Sequence, residues 1–104
     1  MIYAKQYREN EVDNMNKLRR KELQELHKRI EEASHVLENI NVEIESLRNE
    51  ERDYIDNMPE SLQDSERVSA AVAAVDAMEI AMDSMGIAED SCIDACNSLE
   101  DVLV

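Results

Sequence analysis

Glu32-Ala33-Ser34-His35 spells Glu-x-x-His, the ligand pair with which four-helix bundles hold two iron ions. A dimer would supply the motif twice, and Glu89, at an apolar-register position opposite this level, would add a carboxylate. His27, Glu31 and His35 also stand four residues apart along one side of the same stretch, a spacing able to catch a divalent ion at the surface. Neither set is read as a metal centre. Ala33 and Leu37 hold the core-facing register, which turns Glu32 and His35 outward, and a polar stripe of this kind is expected to be solvated. The sequence therefore predicts no metal ligand and no cofactor.

Cys92 and Cys96 lie one helical turn apart, where a regular helix aims both Cβ atoms along similar directions and disfavours an intrahelical disulfide. They read as two small apolar side chains in a reducing compartment; an intermolecular disulfide or a soft-metal pair with Met82 or Met85 is the lesser alternative. Met78, Met82 and Met85 offer an adaptable face, yet core packing explains them first. Glu51 and Glu89 fall at core-register positions. A buried carboxylate must reach solvent, pair with a base such as Arg29 or Arg48, or mark an irregular layer that specifies register. No nucleophile–base–acid set, phosphate loop, zinc-spaced Cys/His set or dinucleotide fingerprint is present, so no enzyme is predicted and no catalytic residue is assigned.

The elements that carry these residues are helical. In 104 residues there are one Gly, one Pro, no Trp and no Phe, and strong helix formers fill the space. With 35% charged and 43% hydrophobic residues, periodically spaced, the chain fits long helices better than disorder. The apolar stretches are short and acid-flanked, with no hydrophobic signal segment at the N-terminus. A soluble cytoplasmic protein, neither exported nor membrane-spanning and with no membrane partner, is the expectation.

The net charge of −14 is lopsided. Residues 1–58 carry ten basic and fourteen acidic residues, whereas residues 59–104 set Arg67 alone against eleven acids. Phosphate binding needs dense Lys and Arg, so direct nucleic-acid binding is disfavoured. A basic partner protein is the more natural target.

From Leu23 the first half falls into heptads, with Leu23, Ile30, Leu37, Ile44 and Glu51 at position a and Leu26, Ala33, Ile40, Leu47 and Tyr54 at d. Val12, Met15 and Leu18 keep helical spacing out of phase with these. That implies a stutter near residues 18–21 or a helix whose apolar face rotates there, and residues 1–8 are left to fray or cap. Pro59 ends the helix, because proline excludes its predecessor from helical geometry and lacks a donor. Asp64 or Ser65 is the expected N-cap of a second helix, with Glu66 favourable in its first turn. In that helix alanine recurs at 74, 81, 88 and 95, and Met78, Met85, Cys92 and Leu99 follow each by four residues. A seven-residue repeat of this strictness keeps one face against a partner helix. One domain follows: helix one about 9–57, turn 58–64 and helix two about 65–103.

The fold class is thus all-α, a long antiparallel two-helix coiled-coil hairpin, its arms roughly 70 Å and about 55 Å long. Folding about Ser61 pairs Leu47 with Val75, Ile40 with Met82, Ala33 with Glu89 and Arg19 with Leu103. It also brings the basic cluster Lys17, Arg19, Arg20, Lys21, Lys28 and Arg29 beside Asp90, Asp94, Glu100 and Asp101. Val72, Ile80, Ile87 and Ile93 add apolar surface outside the packed line, a stripe wider than one helix can cover. A homodimer of hairpins forming a four-helix bundle is predicted.

The segment Asp56-Asn57-Met58-Pro59-Glu60-Ser61-Leu62-Gln63-Asp64-Ser65-Glu66-Arg67, followed by Ala-x-Asp-x-Met heptads, resembles small uncharacterised acidic helical proteins of Gram-positive bacteria, their phages and mobile elements. These share an N-x-P-x-x-L-Q-x-S-E-R turn before an Ala/Asp/Ile-rich helix. The likeness covers about the last fifty residues, and Met and Cys stand here where such proteins more often carry Leu and Glu. In that context the expected role is binding a protein partner, with inhibition of a host nucleic-acid-binding or defence protein as its sharper form. A structural coiled-coil scaffold or accessory subunit is the alternative. Asp76, Asp83 and Asp90, about 10.5 Å apart at ~1.5 Å per residue, together with Ile80 and Ile87, are the candidate partner-binding residues.

Overall fold

The computed structural model describes the backbone of residues 2–103 and the side chains of residues 16–103. Two antiparallel helices, α1 (Ile2–Asp56) and α2 (Glu66–Leu103), pack along their lengths as a hairpin. The molecule measures 91 × 16 × 15 Å. It is longer than the arm lengths above imply because α1 begins at Ile2, with no glycine or proline before Pro59 to stop it. Among the described residues there is no strand, and no helix is long and apolar enough to cross a membrane.

The reversal is built as its residues dictate. Pro59, extended at φ −56° and ψ 146°, leads into one 3₁₀ turn at Glu60–Leu62. Gln63 then reaches back, its Nε2 donating to the carbonyls of Ile55 (3.1 Å) and Met58 (2.9 Å). They tie the last turn of α1 to the residues after it, the Ile55 carbonyl also accepting from the Met58 N–H at 3.1 Å. At the start of α2 the Ser65 hydroxyl accepts from the Val68 N–H at 3.4 Å, so Ser65, not Asp64, is the cap.

The α2 line facing α1 is the expected one. Val68, Ala71, Val75 and Cys96 are buried, and Met78, Met82, Met85, Glu89, Cys92 and Leu99 are half-buried. In α1, Leu23, Ile30, Leu37, Ile44 and Glu51 face inward as read. The second inward line differs. His27, Ser34, Asn41, Arg48 and Ile55, one residue past each expected d position, are half-buried, whereas Leu26, Ala33, Ile40, Leu47 and Tyr54 are exposed. Both phases repeat every seven residues, so the spacing alone does not choose between them. The hairpin uses a and e, and the aliphatic d stripe lies exposed along the flank of the seam.

The register is shifted by half a step from the expected pairing. Asn41 Nδ2 meets the Met82 carbonyl at 3.5 Å and Cys96 Sγ lies 3.8 Å from the His27 carbonyl, both pairs centred between Ser61 and Leu62. Charged bonds across the seam are fewer than the charge alignment suggested. Arg48 and Arg52 both reach Glu79, and His27 reaches Glu100. Among the described residues, none of Lys17, Arg19, Arg20, Lys21, Lys28 and Arg29 is ion-paired with Asp90, Asp94, Glu100 or Asp101. No stutter is needed at residues 18–21: α2 ends opposite this level, and residues 16–22 are simply exposed. Val12 and Met15 lie outside the described side chains.

Candidate functional site

Two places bring chemically distinct residues together: the outer face of α2, and a polar knot in the seam near its C-terminal end.

On the outer face, Asp76, Asp83 and Asp90 recur every seven residues, and Ile80 and Ile87 follow the first two by four. Steps of three and four keep these five on one side of the helix. All five are exposed, on the side of α2 opposite the buried line of Val68, Val75 and Cys96. Ile80 is 68% and Ile87 67% accessible, more than any other large apolar side chain among the described residues. Neither contributes to the hairpin interior, and each stands between aspartates.

The knot is centred on His27, whose phase on α1 turns it into the seam; its side chain is 16% accessible. Its Nδ1 lies 3.3 Å from Oε1 of Glu31, one turn along α1, and its Nε2 lies 3.0 Å from Oε1 of Glu100 on α2. Cys96, one turn before Glu100, is buried beside it, and the donor atoms of His27, Glu31 and Cys96 all lie within 4.8 Å of one another. Burial pushes the Cys96 thiol above its ordinary pKa, and the negative charges of Glu31 and Glu100, then the neighbouring Cys92, push the same way. Both cysteines are free thiols. An open groove of about 290 Å³ lined by Glu31, Ser34, His35, Cys92 and Cys96 adjoins the knot.

The other singled-out residues are dispersed. Glu32 and His35 are exposed, and His35 pairs with Glu38 at 3.7 Å. The surface stripe of His27, Glu31 and His35 is therefore split, its first member turned inward and its last outward. Glu89 does face the seam, and its Oε1 is buried without a hydrogen-bond partner. Asn41 Oδ1 is in the same condition. The approach of Cys96 to His27 escapes sequence reading because residues 69 apart become neighbours only once both register and phase are known. On the flank where α1 exposes its d stripe, Leu23, Leu26, Arg29, Ile30, Ala33, Cys92 and Leu99 line a second, mostly apolar open groove of about 440 Å³.

Comparison with protein-family models, with curated proteins and with solved structures returns no match.

Proposed function

We propose that this chain is a binding protein that works as a dimer of hairpins and presents the outer face of α2 to a basic protein partner. The observation that carries the reading is the exposed Asp76-Ile80-Asp83-Ile87-Asp90 stripe. Isoleucine on a solvated helix face contributes nothing to the hairpin, and a stripe of two such residues flanked by carboxylates matches an apolar anchor set in a basic rim. The acid-rich second half of the chain extends the same potential along the helix. In its sharper form the stripe competes with nucleic acid for a basic groove, which is the inhibitory role that the resemblance to phage and mobile-element proteins suggests.

Dimerisation rests on surface area. The hairpin exposes 8367 Å², whereas a compact monomer of this mass exposes about 6,000 Å² on the ~6.3 M^0.73 scaling. The excess exceeds the ~600–1,000 Å² that each partner buries in a stable interface. The d stripe and the apolar groove beside it are the surface that a second copy covers, leaving the outer face of α2 free.

Affinity capture from host lysate, run in parallel with three variants, tests the reading. The triple variant Asp76→Asn, Asp83→Asn, Asp90→Asn and the double variant Ile80→Ser, Ile87→Ser should each lose the captured protein at unchanged helicity. Variant Val42→Ser, on the exposed side of α1, should retain it. Capture that survives the triple variant in moderate salt refutes acidic-face recognition and favours a scaffold whose partners read its ends.

A further inference from the structure

We propose that His27, Glu31 and Cys96 form a zinc site that clasps α1 to α2 near the open end of the hairpin, with Glu100 orienting the imidazole. A neutral imidazole carries one N–H and one lone pair. Here each ring nitrogen has a carboxylate oxygen within hydrogen-bond distance, Glu31 at 3.3 Å on Nδ1 and Glu100 at 3.0 Å on Nε2. One nitrogen lone pair therefore faces a carboxylate unless a cation stands between them. The Cys96 sulfur, within 4.8 Å of a Glu31 carboxylate oxygen and a His27 ring nitrogen, supplies a third donor.

The donor set selects the ion. Nitrogen and sulfur together exclude calcium and magnesium, which take oxygen, whereas zinc accepts Cys, His and carboxylate alike. Zinc bonds of ~2.0 Å to nitrogen and oxygen at the tetrahedral angle imply an N···O edge of about 3.3 Å. The Nδ1–Oε1 separation already has that length. With Nδ1 on the metal, Nε2–H donates to Glu100, the carboxylate–histidine–zinc arrangement that fixes ring orientation and raises ligand basicity. Binding requires Cys96 to lose its thiol proton to solvent; thiolate and the Glu31 carboxylate then balance the two charges of the ion. The fourth position opens on the groove beside Cys92 and takes water. One ligand pair comes from successive turns of α1 and the third from α2, so the ion ties the two helices where the covalent turn is farthest away.

The test uses the whole chain, reduced and stripped of metal, titrated with Zn²⁺ against a chromophoric chelator and separately with Co²⁺. The expected result is one ion per chain, a near-ultraviolet thiolate-to-cobalt absorption, and a raised melting temperature with zinc. His27→Ala should weaken zinc at least ten-fold, and Glu100→Gln by about 10–100-fold, the usual effect of losing such an orienting group. Cys96→Ser should abolish the cobalt absorption. Val42→Ser, on the exposed side of α1 and outside the groove, should bind as the natural chain does. A variant that does not fold is replaced by a measurement on the natural chain: zinc must slow iodoacetamide alkylation of Cys96 more than that of Cys92. Absence of zinc binding, cobalt bound without thiolate absorption, equal affinity in His27→Ala, or unprotected Cys96 overturns the proposal.

Discussion

Glu89 shows how much a single side chain can hold back in a two-helix interior. Its position in the α2 repeat turns it toward α1, and burial removes water from Oε1 without supplying a donor. An unsatisfied buried polar atom costs about 1–3 kcal/mol. Methionine matches the length of glutamate and the character of Met78, Met82 and Met85 on the same line. Glu89→Met should therefore stabilise the fold by about 1 kcal/mol or more, a rise of roughly 4–8 °C in melting temperature per kcal/mol for a chain near this size. Thermal unfolding followed by circular dichroism checks it; a lower melting temperature would mean that the carboxylate finds a partner in the assembled protein. Position 89 was legible as an irregular layer because an acid interrupts an apolar repeat. The knot around His27 was not, since its members come from two helices and its geometry depends on an interhelical phase.

At the scale of elements, the turn and the caps follow local rules that act within a few residues. Pro59 stops α1 by its own ring, and Ser65 starts α2 by offering its hydroxyl to the Val68 N–H. Ser65→Ala should cost about 1 kcal/mol, within the ~0.5–2 kcal/mol span for lost N-caps, and Asp64→Ala distinctly less. Denaturant unfolding of both variants separates the two, and equal losses would move the cap to Asp64. The Gln63 clasp on the carbonyls of Ile55 and Met58 had no comparable signature, because it spans the turn and depends on how tightly the chain reverses. The phase of α1 is the larger lesson. Its aliphatic residues occupy a and d, yet α2 packs on a and e, accepting Ser34, Asn41 and Arg48 into the seam. A seam asparagine of this sort fixes register at some expense of stability. An a/d/e stripe is also what a bundle helix with two neighbours presents, e toward one and d toward the other.

For the molecule as a whole, the consequence is a sparse interior beside an aliphatic stripe left at the surface. Only Val68, Ala71, Val75 and Cys96 are buried among the described residues, while Leu47 at 56% and Ile40 at 39% remain accessible on the d stripe. Light scattering should return twice the 11.9 kDa chain mass. Ile40→Glu combined with Leu47→Glu should halve that mass and lower thermal stability, since charge on a hydrophobic interface opposes association. A natural chain that scatters as a monomer at micromolar concentration would instead assign the d stripe to a different partner. The variant also separates assembly from recognition, because the Asp/Ile face of α2 lies elsewhere.

The sequence by itself determined the helices, the break at Pro59, the antiparallel reversal, the α2 packing line and the outward set of aspartates and isoleucines. All of these depend on intervals within one helix or on residues adjacent at a turn, and such intervals are properties of the chain. Only the tertiary structure decided which of two equally periodic lines of α1 meets α2. That choice depends on the rotation of one helix against another, which a seven-residue period leaves free. On it rest both the exposed d stripe and the meeting of His27, Glu31, Cys96 and Glu100.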